Sequence, residues 1–455
     1  MWERLKAWRP TPRAARWIVA GGALVVLLIA TPFLLWNVFG PDRFDDLAAG
    51  PVEPEPLPSV APDPQATPSL EPSETISIDD EVSEAPPIHL DVLAPDVPLQ
   101  LADSVRVTLV FSVGSQGITA EEARRLRVND FEARGRDGLT DTMFLLVADT
   151  VSKQAAVFSL PRDLWLYRRG HRINETFNRR GTQEFVQDVS NVTGLPIHHV
   201  VRVNFVAFAN LVDRIGGVAL NVDRPLADLS SVLYVPQAGC WRFDGAAALA
   251  HVRSRHTLTR QADGDWVNDV SASDIGRMGR QRDVLGAAWE RVRGAQLIPH
   301  IPDLLATARE GLVVDPGLGL GEVRDLAAAF EELSAGRVEA YVLPTYGQRI
   351  GRAAAQLIDQ DAGEPIARRL RSWPPSPDAP PEDDLGIPPT IDVDPGCNLD
   401  TAVELPLPDA PLASIAAGDD PVYEPAQPSE EPPPPSEAAS DAPTPSEPAP
   451  SDAAS

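Results

Sequence analysis

Proline and acidic residues are concentrated in two stretches of this chain, and that partition decides how much of it can fold. Of 47 prolines, 13 lie in residues 41–100 and 22 in 373–455. The first stretch holds 14 acidic residues against a single arginine, and the second holds 18 with no lysine or arginine. On average composition, such segments bury too little apolar surface to offset the entropy lost on ordering. They read as disordered, extended spacers: a linker over 40–100 and a C-terminal tail over 373–455. The remaining residues, 101–372, carry 33 basic and 33 acidic residues and are long enough for one sizeable domain. The net charge of −27 is therefore −31 from the spacers and +4 from residues 1–40. A neutral domain between acidic arms gives nucleic acid no basic surface to bind, so no nucleic-acid partner is expected. Two cysteines are too few for a disulfide scaffold.

Trp17–Phe39 is a run of 23 residues without a charge. As a helix it would extend ~34 Å, enough to cross a hydrocarbon core of ~30 Å. Arg4, Lys6, Arg9, Arg13 and Arg16 precede it, and Asp42, Asp45 and Asp46 follow. Charge asymmetry keeps 1–16 in the cytoplasm and exports the rest, which predicts a single-pass protein of the cell membrane with its domain outside. The alternative is a cleaved signal peptide, but the run is long for one and no small-residue cleavage site follows. Export places Cys240 and Cys397 where thiols tend to be oxidised. They are candidates for an internal bridge; two unrelated thiols, or bridges to other proteins, remain the alternatives.

Within 101–372, apolar runs at Val105–Val113, Met143–Ala148, Ala155–Leu160, Val200–Val203 and Val218–Val222 read as strands. Helical patterns cover Thr182–Val192, Phe205–Ile215, Gly245–Val252, Gly276–Val292 and Leu320–Leu333. The alternation predicts an α/β fold, a central sheet sandwiched by helices, with ligands bound beyond strand ends. Arg162 and Asp163 follow Pro161 at such an end. Arg172 lies in HRIN, and Arg253 and Arg255 follow a helix capped by Asp244. Arg277, Arg280 and Gln281 sit within one turn of a helix expected to be capped by Asp274. Guanidinium forks from four segments suit a di- or polyphosphate pocket; solvated surface arginines are the plain alternative. Phe205, Phe208, Leu211, Val212 and Ile215 have the spacing of a helix face packed into a core.

The order of these motifs resembles the LytR-CpsA-Psr family of membrane-anchored cell-wall glycopolymer ligases. The resemblance spans about 104–372 and rests on LTDTMFLLVAD, VFSLPRDLW, HRIN, VVRVNFVAFANLVDRIGGVALNV, FDGAAALAHVRSRHT and SDIGRMGRQRDVL. VLPTYGQRIGRAAAQLI resembles the family's closing strand and helix. It implies a phosphotransferase that moves glycopolymers from polyprenyl pyrophosphate carriers to peptidoglycan or a related wall acceptor. By the same resemblance, Asp141 matches the carboxylate that holds Mg²⁺, while Arg162, Arg172, Arg253, Arg255, Arg277 and Gln281 match pyrophosphate contacts. Asp163 is a candidate general base, with a structural ion pair as the alternative. The phenylalanine-bearing helix would line the polyprenyl tunnel.

Two departures bear on the metal. Gln116 stands where the family has a second acidic contact, and Leu139 where it has arginine. Asp130, Glu132 and Asp137 in the intervening insertion are candidate substitutes. A second reading follows from those departures: a domain that binds polyprenyl-linked glycan or wall without transferring it.

Overall fold

The computed structural model describes residues 42–56, 91–114, 118–128, 139–292, 311–319, 321–323, 326, 333, 335–375, 391 and 393–418. Trp17–Phe39 lies outside these residues, as do Gln116, Asp130, Glu132, Asp137 and most of the helix expected over Leu320–Leu333. Among the described residues no helix is long and apolar enough to cross a membrane.

Among the described residues seven strands form a central mixed sheet: β1 (Asp42–Arg43), β2 (Val105–Ser112), β3 (Thr142–Asp149), β4 (Gln154–Ser159), β5 (His199–Val203), β6 (Leu312–Val314) and β7 (Glu339–Val342). Their spatial order is β1-β6-β5-β2-β3-β4-β7. The pairs β1–β6, β5–β2 and β4–β7 are parallel, and the others antiparallel. Around the sheet lie α1 (Ala120–Arg125), α2 (Ile173–Arg180), α3 (Thr182–Thr193), α4 (Phe205–Arg214), α5 (Gly245–Arg253), α6 (Asp274–Val292) and α7 (Gln360–Arg371).

Strand period sorts the side chains between two layers. Val105, Val107, Leu109 and Phe111 of β2, with Met143, Leu145 and Val147 of β3, point into one layer. There they meet Phe177 of α2, Phe185 and Val189 of α3, and Ile366 and Leu370 of α7. Each large side chain fully buried in this layer contributes roughly 1.5–3 kcal/mol. The alternate residues of β2, including Val110 and Ser112, are only half-buried. Their face is covered by α4, α5 and α6 across a gap, and that gap is the central feature of the site.

The expected strand Val218–Val222 forms, but in a separate three-stranded sheet with Gly239–Phe243 and Val403–Glu404. The closing segment also differs. Thr345–Ile350 and Ala353–Ile358 pair as an antiparallel hairpin between β7 and α7.

Both spacer boundaries need correction. Residues 42–56 and 91–100, read as linker, lie against the domain. Asp42 and Arg43 add an edge strand, Phe44 stacks on Phe111 at 6.2 Å, and Val52 exchanges backbone hydrogen bonds with Ile197. Phe44, Leu47, Val52 and Leu93 are all buried. The start of the tail is likewise built in. Trp373 and Ile391 are buried, and Cys397 is joined to Cys240 by a disulfide with a Cα–Cα distance of 5.3 Å. Leu412 of the helix Asp409–Ala417 packs with Ala227, Val232 and Tyr234. Average composition conceals such sparse apolar anchors, since a few buried residues suffice to fix an otherwise polar strap.

Candidate active site

Three turns bring the charged residues together. At the end of β4, Pro161 cannot extend the ladder, and Leu164, wholly buried, anchors the turn that presents Arg162 and Asp163. Ile173 N–H donates to the Leu164 carbonyl at 2.7 Å, which brings Arg172 alongside. Its Nη1 lies 3.3 Å from Asp163 Oδ1.

The second turn follows α5. Asp244 caps that helix, its carboxylate accepting from Ala247 N–H at 2.8 Å. Gly245 is required at its start, because a Cβ there would lie 2.2 Å from the Ala209 carbonyl oxygen of α4. The helix ends at Arg253 and Ser254 is extended, so Arg253 and Arg255 line the same cavity. Buried Asp228 holds this turn by accepting from Ser254 Oγ at 2.7 Å and from the Arg255 and His256 N–H groups at 2.9 Å. Burial acts to raise its pKa, but these donors outweigh that and hold the carboxyl below its ordinary range.

The third turn begins α6. Asp274 was expected to cap it, yet Gly276 N–H donates to Ser273 Oγ at 3.1 Å. That frees Asp274 to face the arginines. Its Oδ1 lies 3.1 Å from Arg255 Nε, 3.1 Å from Arg277 Nη2 and 3.8 Å from Arg162 Nε. Burial opposes ionisation of Asp274, but Arg277, Arg162 and Arg255 hold its carboxyl below the usual range. Asp163 goes the other way: burial pushes it up against the pull of Arg162, and the Asp274 charge adds to the rise. Arg277 is pushed down to about 10, first by burial and then by Arg162. Arg162 Nη1 donates to Asp141 Oδ1 at 2.6 Å.

Arg253 and Gln281 shape the next part of the site. The Arg253 guanidinium lies 4.9 Å from the Phe205 ring centroid. Gln281 Nε2 donates to Thr142 Oγ1 at 2.8 Å and to the Val252 carbonyl at 3.2 Å, tying α6 to β3 and α5. Arg280, grouped with them by spacing, instead turns to the Ser254 carbonyl at 2.5 Å and Ser271 Oγ at 3.0 Å.

Behind the arginines, between the sheet and α4–α6, lies an apolar cavity of about 400 Å³. Val110, Phe144, Phe208, Leu211, Val284 and Ala288 line it, while Asp141, Arg253, Arg255, Arg277 and Gln281 form its polar end. Phe205, Val212 and Ile215 line it too, and the same residues pack into buried clusters, Phe205 with Leu126 and Leu249 and Val212 with Val218 and Phe243, so this helix face serves both core and cavity. An open cleft of about 530 Å³ lies outside, with Arg162, Asp163, Arg172, Arg255 and Asp274 on its wall. All eight expected site residues thus line one space or the other. Asp228 and Asp274 are the residues that sequence reasoning missed in these roles. Ser273, an equally good cap one residue earlier, was the available signal for Asp274.

Among the described residues no three His, Cys, Asp or Glu side chains cluster as metal ligands. Asp141 alone still fits Mg²⁺ held mainly by substrate, since that ion commonly takes one or two carboxylates and fills its octahedron with phosphate oxygens. Gly114, at φ +58°, keeps room for this carboxylate: a Cβ there would lie 2.8 Å from Asp141 Oδ2.

An apolar cavity ending on clustered guanidinium groups has the chemistry to take an amphiphile with a multiply charged anionic head. The chain belongs to the LytR_cpsA_psr family, whose model matches residues 127–372. It is 33% identical over 182 residues to the probable cell wall biosynthesis protein LcpB of Corynebacterium glutamicum, covering 39% of this chain and 40% of that one. It is 26% identical over 211 residues to the polyisoprenyl-teichoic acid–peptidoglycan teichoic acid transferase TagV of Bacillus subtilis, covering 43% of this chain and 51% of the relative. The crystal structure of B. subtilis TagV aligns over 59% of this chain and 97% of its own, with a TM-score of 0.47 and 19% identity. The chain spans about half the length of the curated relatives it matches.

Proposed function

We propose that this chain is a membrane-anchored phosphotransferase that moves a glycopolymer from a polyprenyl pyrophosphate carrier to peptidoglycan or a related wall acceptor. One observation carries the reading: the apolar cavity of about 400 Å³ ends on arginines contributed by separate elements. A polyprenyl chain entering it gains roughly 25 cal/mol for each Å² of apolar surface removed from water. Guanidinium forks match pyrophosphate oxygens and neutralise the charge that develops on the leaving phosphate. The names of the relatives support the same chemistry, since TagV is described as transferring teichoic acid from a polyisoprenyl carrier to peptidoglycan.

In this reading Arg162, Arg172, Arg253, Arg255 and Arg277 orient the pyrophosphate, and Asp274 keeps Arg162, Arg255 and Arg277 converged on it. Gln281 closes the cavity beside the head group. Asp163 takes the acceptor hydroxyl's proton. Mg²⁺, held by Asp141 with substrate oxygens, would add positive charge at the phosphates. Trp17–Phe39 would anchor the chain in the cell membrane, with 1–16 cytoplasmic and the domain outside, within reach of both lipid carrier and wall.

The test is transfer by the detergent-solubilised full chain, given a polyprenyl-pyrophosphate-linked glycan and peptidoglycan. Wild type should form wall-linked glycan and release polyprenyl phosphate. Arg162→Ala should lower the rate by about 10²–10³-fold, the loss measured for a single donor to a developing anion elsewhere. Binding of the lipid-linked glycan without any transfer would favour the carrier-binding reading instead.

A further inference from the structure

We propose that the open cleft between the arginine cluster and the hairpin Thr345–Ile358 is the acceptor subsite, receiving a hydroxyl-bearing glycan chain through Gln348 and Arg349. The inference rests on the transferase reading and adds to it the direction from which the acceptor arrives.

Direction follows from the two spaces. The cleft of about 530 Å³ and the apolar cavity share a single lining residue, Arg255. They therefore meet at the cationic cluster with different members of it on each wall: Arg253 and Arg277 on the cavity, Arg162 and Arg172 on the cleft. In phosphoryl transfer the attacking and leaving oxygens are roughly in line across phosphorus. The leaving polyprenyl phosphate is the part whose chain runs into the apolar cavity. The attacking hydroxyl must then come from outside the apolar cavity, and the cleft is the open space that reaches the arginine cluster without passing through it.

Its construction suits a polar chain. Gly347, Ala354 and Ala355 give the wall little side-chain bulk, while Gln348 and Arg349 stand exposed on the hairpin. The hairpin is fixed to the turn that carries Asp163, because Gln356 N–H donates to the Asp163 carbonyl at 2.9 Å and Leu164 bridges to Gln356. A glycan held by the hairpin is therefore held in register with Asp163. The acceptor oxygen forms its bond to the glycan-bearing phosphorus, and the anhydride P–O bond breaks. Polyprenyl phosphate leaves with the electron pair, and the hydroxyl proton passes to Asp163. The charged groups facing Asp163 are Arg162, Asp274, Arg172 and Arg255, with Arg349 across the cleft. Burial and Asp274 raise its pKa against the arginines, so transfer should fall, as pH is lowered, above the ordinary carboxylate range.

The experiment uses the full chain in detergent, a short-chain polyprenyl-pyrophosphate-linked glycan as donor and soluble, uncross-linked peptidoglycan strands as acceptor. Gln348→Ala combined with Arg349→Ala should raise the acceptor KM by about tenfold, the loss of one charge-assisted hydrogen bond, and leave the donor KM in place. Asp163→Asn should lower kcat and abolish the acid limb of the pH profile. An unchanged acceptor KM in the double variant, or a donor KM that rises in parallel, overturns the acceptor subsite while leaving the transferase reading intact. An acid limb retained in Asp163→Asn overturns the proton route. A wild-type chain that transfers nothing to these strands overturns the reading and the subsite together.

Discussion

Asp274 sits where the guanidinium groups of Arg162, Arg255 and Arg277 meet, and Arg277 has only 5% of its side chain exposed. Removing a carboxylate from such a cluster leaves buried positive charge uncompensated, at a cost of about 3 kcal/mol. Asp274→Ala should therefore lower thermal stability, and inorganic pyrophosphate should restore more of it than it adds to wild type, because the anion supplies the missing charge. Differential scanning fluorimetry with and without pyrophosphate checks this. Equal stabilisation of both proteins would mean that the arginines do not hold the anion together. The sequence exposed the cations of this cluster but not its counter-charge. Arg162, Arg253, Arg255, Arg277 and Gln281 stand in recognisable motifs, whereas the role of Asp274 depended on whether it or Ser273 capped α6. That competition is settled by packing rather than by spacing.

At the scale of elements, the strands and helices with strong apolar period were readable. Thr182–Val192, Phe205–Ile215 and Gly245–Val252 match their helices to within a residue or two. The hairpin at 345–358 was not, since its outer residues are polar and its inner ones mostly alanine. The docking of 42–56 was also hidden, because its contacts are few and distant in sequence. One of them supports a whole helix. Thr182 N–H, in the first turn of α3, donates to Asp46 Oδ2 at 2.7 Å, so the cap comes from a residue 136 positions away. Asp46→Ala should cost about 1 kcal/mol, the usual loss for a capping carboxylate. Amide exchange at the start of α3 should accelerate with it. Unchanged exchange there would show that residues 42–56 do not brace the domain.

Across the whole molecule, the two segments that composition assigned to spacers act in part as straps. The disulfide between Cys240 and Cys397 closes a loop of 157 residues, and beyond it Val403–Glu404 joins the three-stranded sheet while the helix Asp409–Ala417 packs on Ala227, Val232 and Tyr234. A closure of that length contributes up to roughly 5 kcal/mol through the entropy of the unfolded chain. Cys240→Ser with Cys397→Ser should lower the denaturation midpoint and open residues 393–418 to protease. Wild-type resistance in the double variant would mean that packing alone holds the strap.

The cavity behind the arginines is where fold and chemistry meet, and its natural occupant can be read directly. The full chain is purified in mild detergent from bacterial membranes, and bound lipids are extracted and identified by mass spectrometry. A polyprenyl phosphate or pyrophosphate should be recovered at close to one per chain. It should be reduced in Ala288→Trp, which puts a bulky side chain on the apolar wall of the cavity and leaves every arginine in place. Recovery of no isoprenoid from wild type, or undiminished recovery from Ala288→Trp, would contradict the assignment of this cavity to the carrier lipid.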